Sequence, residues 1–293
     1  MTLFAMPASA QDREAMMKDR KLFFSFAVTP YYQSDTRLDS GGEFKLNGAF
    51  FRFGIIKPVD KSLILGFRFA YNEDDYDFSG LTSFGGLKPW GRIKRFGVST
   101  PITKVLPKKW LLIVTPSLET LREQGADRGD SFAYGAAVAG LKTIKPGRKI
   151  GVGAGVFNRL EDIVVFPFVA VDWRVNERLR LRNPFAAGPT GPAGIEAIYD
   201  LGKGWQLAGG AAYRSIRFRL DGQGVAPNGI GQNNGVPTFL RVSRELKRAF
   251  RLDLYAGAIL GGELQIENQN GDRLASDDYE TAPFAAFTFN MRF

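Results

Sequence analysis

Alternation of apolar and polar residues with a period of two is the feature that most restricts the fold of this chain. It runs in stretches of roughly ten residues, each ended by turn residues. In the last stretch, every second position is apolar: Phe287, Phe289, Met291 and Phe293. Successive side chains of a β-strand point to opposite faces, so each stretch predicts a strand with one apolar and one polar face. The pattern indicates an all-β protein.

The lengths of the stretches and of their connections favour a closed sheet in a membrane. No apolar run approaches the roughly 18 residues that a spanning helix needs. Apolar residues make up 44% of the chain, which suits a barrel whose strands alternate lipid-facing and lumen-facing residues. Six short turns alternate with longer connections and predict a transmembrane up-and-down antiparallel β-barrel of about 14 strands. About 12 strands is the alternative, if the hairpin at residues 178–184 is not a full pair.

The longer connections are rich in Gly, Asn and Asp and are expected to face the outside. They comprise residues 72–88, 121–130, 221–235 and 267–278. Acidic residues gather in the first of them, at Glu73, Asp74, Asp75 and Asp77. Flexible acidic loops can bind a hard cation, but no spaced calcium-loop pattern is present. We therefore interpret this cluster as a solvated acidic loop and predict no metal site.

No break in composition divides the chain into domains. Residues 1–10 end in Ala8-Ser9-Ala10, which fits the small-residue rule for signal cleavage, and we interpret them as the remnant of a secretory signal peptide. Residues 11–21 are polar and charged and predict a short periplasmic tail. Residues 22–293 form the predicted barrel. These assignments predict a location in the bacterial outer membrane.

The sequence contains neither histidine nor cysteine. Their absence excludes Ser-His-Asp hydrolysis, His acid–base catalysis, thiol catalysis and disulfides for this chain. No other catalytic constellation and no cofactor motif is present, so we predict no enzyme, no catalytic residue and no cofactor. The net charge of +9 can indicate nucleic acid, anionic lipid or anionic solutes. Because the Arg residues are spread along strand-like stretches, we predict no nucleic-acid partner.

Many basic residues occupy the polar phase of the predicted strands. A Lys or Arg facing the bilayer midplane costs about 2–4 kcal/mol, so these side chains are expected to point into the lumen. The expected lumen-lining residues are Arg52, Arg68, Arg178, Arg180, Arg182, Glu196, Arg214, Arg217, Arg241 and Arg292. Other carboxylates can share the lumen: Glu119, Asp172, Glu245, Asp253 and Glu263. Around residues 213–218 the phase shifts by one, which a β-bulge would explain.

Two functional hypotheses follow from this lumen. An electropositive lumen favours anions and predicts a porin-like or uptake barrel that passes small solutes. Alternatively, the charges pair and fill a narrow barrel, because unpaired buried charge is costly. That alternative predicts a structural or surface-interaction barrel that acts through its external loops. A soluble β-sandwich or propeller would need several fully apolar strands. The solute and the oligomeric state are left open.

Aromatic residues fall near the ends of the predicted strands, where girdles of membrane barrels lie. Trp110, Trp173 and Trp205 adjoin short turns and are assigned to the inner girdle, and Trp90 is placed at a strand end as well.

Short motifs carry a resemblance to a known family. Trp173 is followed by a short turn and a basic strand, then by Asn183-Pro184 and by Gly202-Lys203-Gly204-Trp205. Over residues 22–293 the chain resembles a family of bacterial outer-membrane barrels known only as a domain of unknown function. It is more loosely similar to barrels for uptake of aromatic or hydrophobic compounds. The resemblance implies a lipid bilayer and a small solute as partners, and it carries no site residues.

The last strand resembles the signal that the bacterial β-barrel assembly machinery reads, since alternating apolar residues end in an aromatic one, Phe293. This resemblance implies the assembly machinery as a partner during biogenesis.

Overall fold

The computed structural model describes residues 22–85, 88–184, 189–190, 193–247 and 249–293. Residues 1–21, interpreted above as signal remnant and tail, lie outside the described residues. The described part forms one sheet. Its strands are β1 (Phe23–Arg37), β2 (Glu43–Pro58), β3 (Leu63–Ser79), β4 (Arg92–Ser99), β5 (Ile102–Leu106), β6 (Trp110–Glu123), β7 (Phe132–Lys145), β8 (Arg148–Arg159), β9 (Asp162–Arg174), β10 (Leu179–Arg182), β11 (Gly194–Gly202), β12 (Trp205–Ala212), β13 (Arg214–Arg219), β14 (Ile230–Lys247), β15 (Phe250–Glu267), β16 (Arg273–Tyr279) and β17 (Ala282–Arg292). No helix of the described residues is long and apolar enough to cross a membrane.

Three spans of the sheet are each interrupted once. β4 and β5 are separated at Pro101, which has no amide hydrogen to donate to a neighbouring strand. β12 and β13 are separated at Tyr213, and β16 and β17 at residues 280–281. With each interrupted span counted once, the described strands make fourteen antiparallel spans. β17 pairs with β1 and closes the sheet, so the prediction of a fourteen-stranded barrel is confirmed.

The hairpin that decided between twelve and fourteen strands is a full pair. β10 has only four residues, but it pairs with β9 on one side and with β11 on the other. The prediction of fourteen strands therefore holds, although β10 is much shorter than the other spans.

Burial alternates along the strands as the sequence pattern requires. On β3, Ile64 and Ala70 are buried, whereas Leu65 and Phe67 are exposed on the other face. On β17, Thr288 and Asn290 are buried on the inner face. The outer face of the barrel is therefore mainly apolar, whereas the inner face carries both polar residues and two buried apolar clusters. The exposed apolar side chains mark the surface that a bilayer would cover.

Short turns close one end of the barrel, which we call the turn end. In one of them, the Ser62 amide and hydroxyl donate hydrogen bonds to Asp60 and hold the pKa of that carboxyl below its usual value. The girdle residues predicted for this end each carry a cation over the ring. Lys142 lies over Trp110, Arg148 over Trp173 and Arg244 over Trp205.

The opposite end narrows into a smaller ring, which we call the collar. It is formed by the upper parts of β13, β14, β15, β16, β1, β2, β3, β4 and β6. The ring closes where Arg219 of β13 pairs in parallel with Arg122 of β6. A closed ring of nine strands cannot alternate direction throughout, which accounts for the one parallel contact. Strands β7 to β11 take no part in it.

The collar corrects three of the predicted external loops. Strand β3 continues to Ser79, so residues 72–79 are strand rather than loop. β14 begins at Ile230 and β16 at Arg273, inside the other predicted loops. The outer faces of these extensions are polar, so their alternation lacks the apolar signature of a lipid-facing strand. The acidic cluster consequently splits, with Asp74 pointing inward and Asp75 and Asp77 outward.

Candidate functional site

The inner wall between the turn end and the collar holds a network of buried charges centred on Arg241. Arg241 lies on β14 and is 0% exposed. Its Nη2 lies 3.0 Å from Glu196 Oε2, and its Nη1 lies 3.1 Å from Asp253 Oδ1. Both carboxylates are buried as well. Each charge thus has partners of opposite sign, which offsets the cost of removing it from water.

The network extends along the wall through further cations. Arg251 Nε donates to Asp253 at 2.7 Å, and Asn290 Nδ2 donates to the other oxygen of Asp253 at 2.8 Å. On the neighbouring strands, Arg182 Nε donates to Glu196 Oε1 at 2.7 Å. These bonds tie the inner faces of β10, β11, β14, β15 and β17 together.

A third carboxylate on this side, Asp172 of β9, is shared by two cations. Arg180 Nε lies 2.7 Å from Asp172 Oδ1, and Lys149 Nζ lies 3.4 Å from Oδ2. The side chains of Arg180, Arg182 and Arg251 keep 30%, 25% and 20% of their surface exposed, whereas their acidic partners are almost fully covered. The surface that remains accessible in this network is therefore cationic.

A second group of charges lines β2, β3, β4 and β6. Arg95 Nε donates to Glu119 Oε2 at 2.9 Å. Arg52 donates to the side-chain oxygen of Asn72, a neutral acceptor. Arg68 also points inward from β3. Arg52 thus donates to a neutral side chain, which leaves its positive charge on this part of the wall.

Aromatic side chains fill the collar. Trp90 is 2% exposed and meets Phe218 edge to face, with ring centroids 5.1 Å apart. It also meets Tyr76 at 5.7 Å and Phe78 at 5.6 Å. Trp90 therefore lies in the collar core and not in a girdle, which corrects its predicted position.

Below this core a polar cluster is set among tyrosines. Tyr31 Oη donates to Asp74 Oδ1 at 2.6 Å. The Tyr31 ring lies over Gly48, where a Cβ would come within 2.3 Å of it, so only glycine fits there. Asn233 Nδ2 donates to Tyr76 Oη at 3.0 Å, and Tyr279 Oη donates to Asn233 Oδ1 at 3.0 Å.

Arg214 faces this polar cluster from β13. Its charge acts on Asp74 and on the hydroxyls of Tyr31, Tyr76 and Tyr279. It pairs across the sheet with Gly235, which leaves room for the tyrosines beside it.

The structure places most of the predicted lumen residues on the inner face. These are Arg52, Arg68, Arg180, Arg182, Glu196, Arg214, Arg241 and Arg292. Arg178 has the same phase but lies in the turn before β10, where it is exposed.

Arg217 differs from the prediction. It lies on the face of β13 opposite to Arg214 and Phe218, where its Nη1 meets Glu267 Oε1 at 2.6 Å and its Nη2 donates to the Leu160 carbonyl at 3.1 Å. The prediction followed residue type through a stretch with an uncertain phase. The pairing of β14 runs without a register shift from β12 into β13, so the β-bulge expected near residues 213–218 is absent; the phase of Ala208 continues, which places Arg214 inward and Arg217 outward.

Two of the other carboxylates that were expected in the lumen also differ from that expectation. Glu263 lies on the outer phase, because Gly261 takes a positive φ of 55° and shifts the alternation of β15. Glu245 is exposed near the turn end. Glu119, Asp172 and Asp253 lie on the inner wall.

Several inner-wall residues were missed by the sequence reasoning: Gln33, Asp74, Arg95, Lys149 and Arg251. Each stands at the polar phase of its strand, so strict counting of phase could have found them. Asp74 was hidden in a predicted loop. The four apolar residues of the proposed assembly signal lie on the outer phase of the last strand, where Phe293 stacks on Phe24 at 5.7 Å. Among the described residues, no group of three or more acidic side chains is arranged to hold a metal ion.

Comparison with known proteins gives one family and several similar folds. The model of the family described as Domain of unknown function (DUF6268) matches residues 92–293, more than half of the chain. No curated protein matches the sequence. An outer membrane channel from Pseudomonas putida F1 has a similar structure at 11% identity, covering 93% of this chain and 95% of that one, with a TM-score of 0.51. At this identity the likeness concerns the fold alone.

Two further solved structures are similar more loosely. The toluene transporter TodX of P. putida has 9% identity, coverage of 93% and 90%, and a TM-score of 0.43. The translocator domain of the autotransporter NalP from Neisseria meningitidis has 11% identity, coverage of 97% and 96%, and a TM-score of 0.41. These alignments are too loose to support an argument about function.

Proposed function

The chain belongs to the family described as Domain of unknown function (DUF6268), and we propose that it is a channel of the bacterial outer membrane for small solutes, with a preference for anions. The proposal includes insertion by the β-barrel assembly machinery, with Phe287, Phe289, Met291 and Phe293 as its signal. The outward phase of these residues supports it.

One observation carries the solute-channel proposal: in the network of paired charges on the inner wall, the side chains that keep accessible surface are cations. The carboxylates Asp172, Glu196 and Asp253 are covered, whereas their partners Arg180 and Arg251 remain partly exposed. A solute that enters the barrel would meet guanidinium groups rather than carboxylates. Rings of basic side chains favour anions in pores.

Conductance in planar bilayers tests the proposal. Purified barrel should give discrete current steps in KCl, and a salt gradient should give a reversal potential of the sign that chloride permeation produces. A reversal potential of the opposite sign would contradict the anion preference. Complete absence of steps, for the wild type and for a variant with a loosened collar, would contradict the channel itself.

The second candidate function is a filled structural or surface-interaction barrel. The collar favours it, because its apolar core includes Phe44, Leu46 and Phe218, each 0% exposed. Such a plug would obstruct passage through this end. Under this candidate the barrel would not conduct, and deletion of the exposed turns at the collar would abolish its biological effect.

A further inference from the structure

The strongest unexplained feature of the inner wall is a pair of buried donors on Arg214. Nε and Nη2 of its guanidinium have no hydrogen-bond partner among the described residues. These two nitrogens form one edge of the guanidinium plane, the edge that binds a carboxylate through two parallel hydrogen bonds. Leaving buried donors of a charged group unsatisfied is costly. An arrangement of this kind is therefore suited to a ligand that carries the missing acceptors.

A second buried side chain of the inner wall also lacks partners. Gln33 of β1 is 1% exposed, and neither its Nε2 nor its Oε1 makes a hydrogen bond. Its cross-strand neighbour is Leu46, whose own neighbour on β3 is Tyr76. Tyr76 reaches Asn233, two residues from the Gly235 that pairs with Arg214. Cross-strand pairing and this hydrogen bond thus connect Gln33 to Arg214 by way of the tyrosine cluster.

The walls between these two polar groups are aromatic. Tyr31 stacks on Phe50 with ring centroids 4.8 Å apart. Phe44 meets Tyr279 edge to face at 5.1 Å and lies 6.2 Å from Tyr76. Rings of this kind pack favourably against another ring, by about 0.5–1.5 kcal/mol beyond the area that is buried.

The local charge suits an anion even though Asp74 is nearby. Asp74 is engaged by the Tyr31 hydroxyl, and the charges of Arg214, Arg95 and Arg52 all act on it. Arg95 also pairs with Glu119, so these three cations adjoin two protein carboxylates. A ligand carboxylate would therefore balance the charge of the cluster and would not give it excess negative charge.

We propose that Arg214 and Gln33 form a binding site for a small aromatic carboxylate, with the carboxylate on the Arg214 edge and the ring among Tyr31, Tyr76 and Tyr279. The inference rests on the proposed channel function, because a site in the lumen requires that solutes enter it. It goes further by naming the class of solute.

Isothermal titration calorimetry of the purified, detergent-solubilised full chain tests the site with benzoate as the probe. Benzamide has the same shape without the charge, and acetate has the charge without the ring. Both should bind at least about tenfold more weakly than benzoate, since each lacks one half of the recognition. Equal affinity for benzoate and benzamide, or for benzoate and acetate, would overturn the proposed class. No benzoate binding would overturn the site.

Substitutions locate the site. Arg214→Lys keeps the charge but cannot form two parallel bonds, and Arg214→Gln removes the charge; benzoate affinity should fall about tenfold and further, respectively. Arg217→Gln is the matched control on the opposite face of β13 and should leave affinity unchanged. Heat-dependent gel mobility verifies that each variant is a folded barrel. Wild-type affinity in folded Arg214→Lys would overturn the bidentate arrangement.

Gln33→Leu distinguishes a role of Gln33 in ligand binding from a purely structural role. Replacing two unpartnered buried polar atoms by an apolar group should leave stability equal or higher, yet benzoate should bind about threefold or more weakly. Unchanged benzoate affinity in this variant would remove Gln33 from the site.

The outcomes separate the site from the channel. Conductance without benzoate binding would overturn this inference and leave the proposed channel function standing. Benzoate binding that depends on Arg214, without conductance, would support the binding site and contradict the channel function.

Discussion

Arg241 on β14 reaches Glu196 on β11 across the intervening strand β12, with Nη2 3.0 Å from Oε2. The residues of β12 that lie between them are Ala208 and Gly210, which pair with Arg241 and Glu196 in the sheet. Their small size lets the guanidinium lie along the wall and bond to a strand that is not its neighbour. The network therefore depends on the closed sheet as much as on the charges.

Removing one partner of this network should destabilise the barrel. Arg241→Leu leaves Glu196 without one of its two cations in a fully buried setting, which costs about 3–5 kcal/mol for buried pairs. Urea unfolding in lipid vesicles measures the free energy. Arg244→Leu, three residues away on the outer phase, is the control and should change little. Equal effects of the two substitutions would contradict the buried network.

The parallel contact that closes the collar can be tested with a disulfide. The chain has no cysteine, so Arg122→Cys combined with Arg219→Cys introduces the only two thiols. Neighbouring strands lie about 4.7–4.9 Å apart, within the Cα separation that disulfides span. Mild oxidation should link them, and a mobility shift on a non-reducing gel should report the link.

The control for this pair is Arg122→Cys with Ser215→Cys. Ser215 lies on the same face of β13 four residues from Arg219, about 13 Å along the strand. It should remain unlinked under the same conditions. Equal linking of both pairs, or linking of the control alone, would mean that the collar does not close at Arg219.

Truncating Trp90 should loosen the collar. Trp90 contacts Tyr76, Phe78 and Phe218, and replacing a buried Trp by Ala costs about 3–5 kcal/mol. Under the channel proposal, Trp90→Ala should also increase single-channel conductance, because it removes the largest side chain of the plug. Trp205→Ala is the girdle control and should leave conductance unchanged, since Trp205 lies on the outer face.

Anion preference should depend on the accessible cations of the inner wall. Changing Arg180 and Arg251 together to Gln removes two partly exposed charges and leaves Arg241 in place. The reversal potential in a KCl gradient should move toward the value for equal permeation of both ions. Substituting Arg148 and Arg244 in the same way, at the girdle, should not move it. If the substitutions of Arg148 and Arg244 moved the reversal potential and those of Arg180 and Arg251 did not, the anion selectivity would arise outside the lumen.

The sequence by itself determined the closed antiparallel barrel, its fourteen spans and the inward phase of most lumen arginines. It could do so because a period of two in residue type is converted directly into two faces of a strand, and because lipid excludes both open sheet edges and outward charges.

Only the tertiary structure decided the collar, the inward position of Asp74 and the outward position of Arg217. The collar strands stand beyond the apolar belt, so both of their faces tolerate polar residues and the alternation loses its signature. The positive φ of Gly261 shifts the phase of β15 in a way that residue types do not reveal. The approach of Arg214 to Tyr31 and Asp74 arises from ring closure, which brings together side chains more than a hundred residues apart in the chain.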